Sequence, residues 1–193
     1  SSEDYIIPEL TLENDGKPYL LLVGLTDFHW GSYAWDKESR SPYNREIAEQ
    51  RLKDTTQRLV DRLSSKPEEI LLPIGSDFFD VDGDIAATTK GTPQDIDGTP
   101  TEILVTGCEL VRTYIDMLRQ IAPVRIVMMT GNHDRHNGLA LLLYLSAWYR
   151  ETEDVNVQLE YKPRVYLDYG NNLIAFSHGD GSATKPRDLA MVV

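Results

Sequence analysis

Carboxylates, imidazoles and one amide collect at four places in the chain: Asp27 with His29, Asp77 with Asp80, Asn132-His133-Asp134, and His178. Of the chain's four histidines, only His136 falls outside them. A hard carboxylate beside an imidazole is a donor pair for manganese, iron or zinc, whereas calcium prefers oxygen alone. Asp27 and His29, two residues apart, can project from the same side of an extended backbone. Asp80 reads as a ligand or, preferably, as a brace for the loop that carries Asp77. His136 is expected outside any metal cluster, near the start of a helix.

Each place follows an apolar run, and the runs are the elements that must position it. Residues 20–26 end at Asp27, 70–75 end before Asp77, 126–130 end before Asn132, and 173–177 end at His178. All four runs read as strands, and the third, five apolar or β-branched residues in succession, fits a strand covered on both faces. Gly131 is expected to let the backbone turn sharply as the third run ends. Ordinary strand ends collect Gly, Asn, Asp and Ser for turn reasons, but not histidine. The carboxyl ends of strands in open α/β sheets are where ligands bind.

Helical patterns separate these runs, so the fold class is α/β. Residues 44–64 place Ala48, Leu52, Leu59 and Leu63 at helical spacing. Thr99-Pro100-Thr101-Glu102 is a capping box with proline at the first helical position, and Ile103, Gly107, Leu110, Tyr114, Met117 and Ile121 mark the buried side that follows. A third helix is expected over 137–150 with Leu139, Leu142, Leu143 and Ser146 inward. Three strands near 155–159, 164–168 and 173–177 then make a β-rich segment, with 168–172 as a turn. Residues 30–43 form an aromatic loop (Trp30, Tyr33, Trp35, Tyr43) that could overhang the site. Residues 81–98 read as a polar insertion with little core potential, and their carboxylates miss the spacing of a calcium loop.

Composition bounds the reading. At 193 residues and 41% hydrophobic, the chain is expected to form one domain over 1–193. The single cysteine, Cys108, rules out a disulfide within the chain and reads as a small core residue in a reducing, cytoplasmic setting. No run approaches the roughly 18 apolar residues of a membrane span. A formal charge of -12 opposes broad binding to polyanions, although carboxylate metal ligands contribute to that total. A Ser177-His178-Asp180 triad is disfavoured because neighbouring residues on a strand face opposite ways.

These motifs resemble the calcineurin-like metallophosphoesterases. Asp27-Phe28-His29 resembles their D-x-H and Gly131-Asn132-His133-Asp134 their G-N-H-D, while Gly75 to Asp80 is similar to G-D-x-x-D with Ser76 as an extra residue. His178 corresponds to the isolated histidine that follows. The resemblance implies a β-sandwich core flanked by helices and a hydrolase with two divalent metal ions, manganese foremost, with iron or zinc as alternatives. By position it implies that Asp27 and His29 hold one metal, Asn132 and His178 the other, and that Asp77 bridges them. His133 would act on the phosphoryl or leaving oxygen, oriented by Asp134.

One departure stands out. The family closes its site with a later G-H-x-H, and none of the four histidines supplies it. The expectation is therefore a domain incomplete at its C-terminus, with this chain alone binding metal weakly. The start Asp27-Phe28-His29-Trp30-Gly31 resembles the repair-nuclease and phage branch, so the substrate expected is a phosphodiester in nucleic acid. A small-molecule phosphodiester or a phosphomonoester is the alternative, and a non-catalytic scaffold is a reading of a different class.

Overall fold

A computed structural model describes residues 16–179. Its centre is a parallel sheet in which β3 (Glu69–Gly75) lies between β4 (Val124–Met129) and a split edge made of β1 (Leu20–Leu22) and β2 (Leu25–Thr26). On the far side of β4 lies β5 (Val155–Lys162). The expected single strand over 20–26 is thus broken at Val23-Gly24, and Pro73 supplies the reason. The Leu71 carbonyl accepts from Val23 N at 3.0 Å, so Leu71 and, two residues on, Pro73 turn their backbone polar groups to this edge. Proline has no N–H to offer the ladder, and the break falls between the pairs Leu22↔Leu71 and Leu25↔Ile74.

Three helices connect the strands: α1 (Arg45–Val60), α2 (Pro100–Leu118) and α3 (Arg135–Tyr149). Each crossover advances the sheet in the same direction, and right-handed connections then stack all three helices on one face. The pleat sorts the core accordingly. Ile70, Leu72 and Ile74 with Val124, Ile126 and Met128 face the helices, while Leu71, Val127 and Met129 face away. The second face is covered by an antiparallel hairpin, β6 (Arg164–Tyr169) and β7 (Asn172–Ser177), through Val165, Leu167, Ile174 and Phe176. The β-rich segment expected from the sequence is therefore divided: β5 extends the parallel sheet, and β6–β7 form a separate layer.

The capping box forms as expected. Thr99 accepts from Glu102 N and the Glu102 carboxylate accepts from Thr99 N at 2.8 Å. Helix α1 begins where Asn44 accepts from Ile47 N at 2.8 Å, and it stops four residues before the expected end. Helix α3 requires a correction. Leu141, Leu142, Leu145 and Tyr149 are buried, whereas the expected inward residues Leu139 and Leu143 are 42% and 57% exposed. With leucine at five positions between 139 and 145, no single apolar stripe selects a face.

The insertion 81–98 also differs from expectation, because it is packed. Val81, Ala87 and Thr88 are buried, Asp82 N bonds Ala87 O at 2.9 Å, and Asp97 N bonds Gly31 O at 2.8 Å. Cys108 is half-buried rather than fully enclosed, and burial pushes its thiol pKa up to about 11. Among the described residues no helix is long and apolar enough to cross a membrane.

Candidate metal centre

The carboxyl ends of β2, β3 and β4 lie side by side, and the end of β7 reaches them from the hairpin. Backbone hydrogen bonds lock the loops together: Asp27 N to Ser76 O at 2.9 Å, His29 N to Asp77 O at 3.1 Å, and Ser76 N to Met129 O at 3.0 Å. The chain adopts an uncommon conformation to do this. Asp27, His29, Ser76 and Asp77 have φ of 55°, 49°, 50° and 66°, and they are the only non-glycine residues with positive φ among those described. Such conformations cost on the order of 1–3 kcal/mol each and persist where surrounding structure enforces them, commonly at functional sites.

Two glycines make room, for different reasons. Gly75 has φ of 91°, and a Cβ there would also strike the Met129 carbonyl. Gly131 was expected to serve a sharp turn, yet it is not left-handed. Its role is space: a Cβ would collide with the Asp77 carboxylate and amide.

Around His29, the Nδ1 atom lies 2.7 Å from Asp80 Oδ1 and Nε2 lies 3.1 Å from Asp27 Oδ1. His133 stands edge-on to it with ring centroids 4.7 Å apart. Two groups of donors each fall within 4.8 Å of one another: Asp27, His29 and Asp77, and His29, Asp80 and His133. The hydrogen bond to Asp80 is the main reason that the His29 imidazole, despite burial, is raised to about 9.

Around His178, Nε2 lies 2.7 Å from Asn132 Oδ1 and 3.2 Å from Asp77 Oδ2, while Nδ1 lies 2.6 Å from Ser76 Oγ. Asp77 stands between the two groups. Its Oδ1 accepts from His133 N at 2.8 Å and its Oδ2 faces His178.

Metal ions suit these residues on three grounds. Asp80 is 3% exposed, and its Oδ2 is buried without a hydrogen-bond partner among the described residues, an expensive state for a carboxylate oxygen unless a cation meets it. The donors are oxygen and imidazole nitrogen, the set that manganese, iron and zinc take. The contacts of His178 Nε2 with Asn132 Oδ1 and Asp77 Oδ2, at 2.7 and 3.2 Å, match the separation of about 3 Å between adjacent ligands on bonds near 2.1 Å.

The structure brings Asp27, His29, Asp77, Asn132, His133 and His178 into one cluster. Asp134 departs from its expected task. It is fully buried, its Oδ2 accepts from Phe79 N at 3.0 Å, and its Oδ1 has no partner among the described residues, so it does not orient His133. Burial, opposed by the Phe79 amide, raises its carboxyl to about 7. The Asp80 carbonyl instead accepts from His133 Nδ1 at 3.0 Å. Asp80 was expected to brace the loop that carries Asp77; it holds His133 through its carbonyl and His29 through its carboxylate, and also joins the donor set. Ser76 was legible only as an extra residue, and its contact with His178 is apparent only in three dimensions.

Other expectations resolve simply. His136 lies outside the cluster, its side chain 81% exposed and paired with Asp82 at 3.0 Å. Trp30 is buried and bonds Thr106, which removes it from any overhanging face, whereas Tyr33 and Trp35 are exposed. Asp180 lies outside the described residues. A cavity of about 790 Å³ between α1 and α2 is lined by none of the donors. Comparisons with protein-family profiles, curated proteins and solved structures returned no match for this chain.

Proposed function

We propose that this chain carries the metal centre of a phosphoesterase of the calcineurin-like kind, with a phosphodiester as substrate. The observation that carries the reading is the pair of donor groups meeting at Asp77, one around His29 and one around His178. Asp27 and His29 would hold one divalent cation, Asn132 and His178 the other, and Asp77 both, while Asp80, facing the other ring nitrogen of His29, would orient that imidazole. Manganese is the first choice and iron or zinc the alternatives. When bound, such a pair supplies Lewis acidity toward the phosphoryl oxygens and lowers the pKa of a bound water.

The remaining work falls to the chain's own residues. His133 Nδ1 faces the Asp80 carbonyl, an acceptor, and therefore carries hydrogen. In the protonated ring Nε2–H is then the donor for a phosphoryl or leaving oxygen, and in the neutral ring Nε2 is the acceptor. The Asp77 hydrogen bond to His133 N fixes the backbone that delivers this ring, so ligand and proton carrier are held by one carboxylate. A phosphodiester in nucleic acid is favoured among substrates, and the charge of -12 makes a local approach to the cleft essential for any polyanion.

The test is hydrolysis of bis(p-nitrophenyl) phosphate with and without Mn²⁺, alongside a His133→Ala variant and a phosphomonoester control. Manganese-dependent cleavage of the diester that His133→Ala reduces by a factor of about 10²–10⁴ is the expected result. Metal binding with neither ester cleaved would identify a metal-binding scaffold instead.

A further inference from the structure

The residue that departs from the family pattern, Ser76, is also the one that touches the far side of His178. Its side chain is buried, and its backbone is held on two sides, by Met129 O and by Asp27 N. At φ of 50° it occupies a conformation in which glycine would be less strained. A strained serine in such a place calls for a use of its hydroxyl.

The contacts of His178 define that use. Nε2 faces Asn132 Oδ1 and Asp77 Oδ2, both acceptors, so in the neutral ring it is Nε2 that carries hydrogen. Nδ1 is then the acceptor, and Ser76 Oγ–H donates to it. A cation held by His178 would need the Nε2 lone pair, which places the hydrogen on Nδ1 and requires an acceptor opposite it. A hydroxyl is donor and acceptor at once, and rotating it serves both arrangements. A carbonyl could only accept, and a backbone amide could only donate.

We propose that Ser76 is a positioning residue for the metal subsite at His178: its hydroxyl satisfies Nδ1 in either tautomer and lets Nε2 exchange a hydrogen for a cation. This rests on the reading of the cluster as a metal centre. It adds a role for a residue that the resemblance does not assign.

The test uses Ser76→Gly in the full chain, because that change relieves the left-handed strain while deleting the hydroxyl. The ring nitrogens of ¹⁵N-histidine-labelled protein are followed by NMR during titration with Zn²⁺, which is diamagnetic. In the wild type, hydrogen on His178 should move from Nε2 to Nδ1 as Zn²⁺ is added. In Ser76→Gly, half-saturation at His178 should need about 10- to 100-fold more Zn²⁺. The His29 response should stay unchanged, and thermal stability without metal should be equal or higher. Equal Zn²⁺ requirements at His178 in the two proteins would overturn the role of Ser76 while leaving the metal centre intact. A wild-type His178 that never responds to Zn²⁺, or to Mn²⁺ by paramagnetic broadening, would overturn the metal centre itself and this inference with it.

Discussion

At the scale of single residues, the site depends on how closely backbone approaches side chain. Gly131 admits the Asp77 carboxylate to the space a Cβ would fill, and Asp77 stands between the donors around His29 and those around His178. Gly131→Ala is therefore expected to displace Asp77, lowering stability by about 1–3 kcal/mol as overpacking does. Mn²⁺ affinity should fall with it, and denaturant unfolding and a Mn²⁺ titration measure the two effects separately. Cys108 offers a check of the surrounding packing. Its thiol is raised to about 11 from an ordinary 9, so alkylation by iodoacetamide near pH 9 should be slower in the native protein than in the unfolded chain. For an acid raised on folding, the sign is that its stabilising share is whole below the unfolded value. That share declines as pH climbs from about 9 through about 11.

At the scale of elements, helix starts are specified by side chains that accept from orphan amides. Thr99→Ala removes the hydroxyl of the capping box and should cost about 1 kcal/mol in chemical denaturation. The Glu102 carboxyl, bonded by the Thr99 amide and hydroxyl, lies below its usual value. Its contribution is present above the unfolded value and is lost as pH falls through the folded one. Helix α3 starts differently, because Asp134 makes no capping bond and Asp82, in the insertion, accepts from His136 N at 2.8 Å and Asn137 N at 2.9 Å. Asp82→Ala should unfasten the insertion and the helix together, at about 1–3 kcal/mol for the amides left unpaired.

This contrast explains what could be read in advance. The Thr99 box is local, four consecutive residues, and was legible. The Asp82 cap joins residues more than fifty apart, so the insertion looked unpacked, and the inward face of α3 was assigned wrongly at Leu139 and Leu143. The residues that meet in the cluster were legible because each follows an apolar run. Asp134 was misassigned because its position beside His133 in sequence says nothing about the Phe79 amide that claims it.

At the scale of the whole molecule, the sheet has two unequal covers, and the cluster draws side chains from both sides. Three helices bury one face against a large core, whereas β6 and β7 hold the other through a small cluster of Leu71, Val127, Met129, Val165 and Leu167. His178 follows β7, so its placement against Asn132 and Asp77 depends on the smaller core, while Asp27, His29 and Asp77 ride on the parallel sheet. Regions with less buried apolar contact open at lower free energy than the global transition. Hydrogen exchange should therefore find the β6–β7 amides less protected than those of β3 and β4, and added Mn²⁺ should narrow the gap, since a cation shared by Asn132, Asp77 and His178 ties the hairpin to the sheet. Leu167→Ala, a cavity in the smaller core, should cost about 2–5 kcal/mol at the hairpin. It should weaken binding at His178 while leaving the His29 group able to take up metal. If hairpin protection proves equal to that of β3 and indifferent to Mn²⁺, the two covers act as one cooperative unit and His178 is not the separable half of the site.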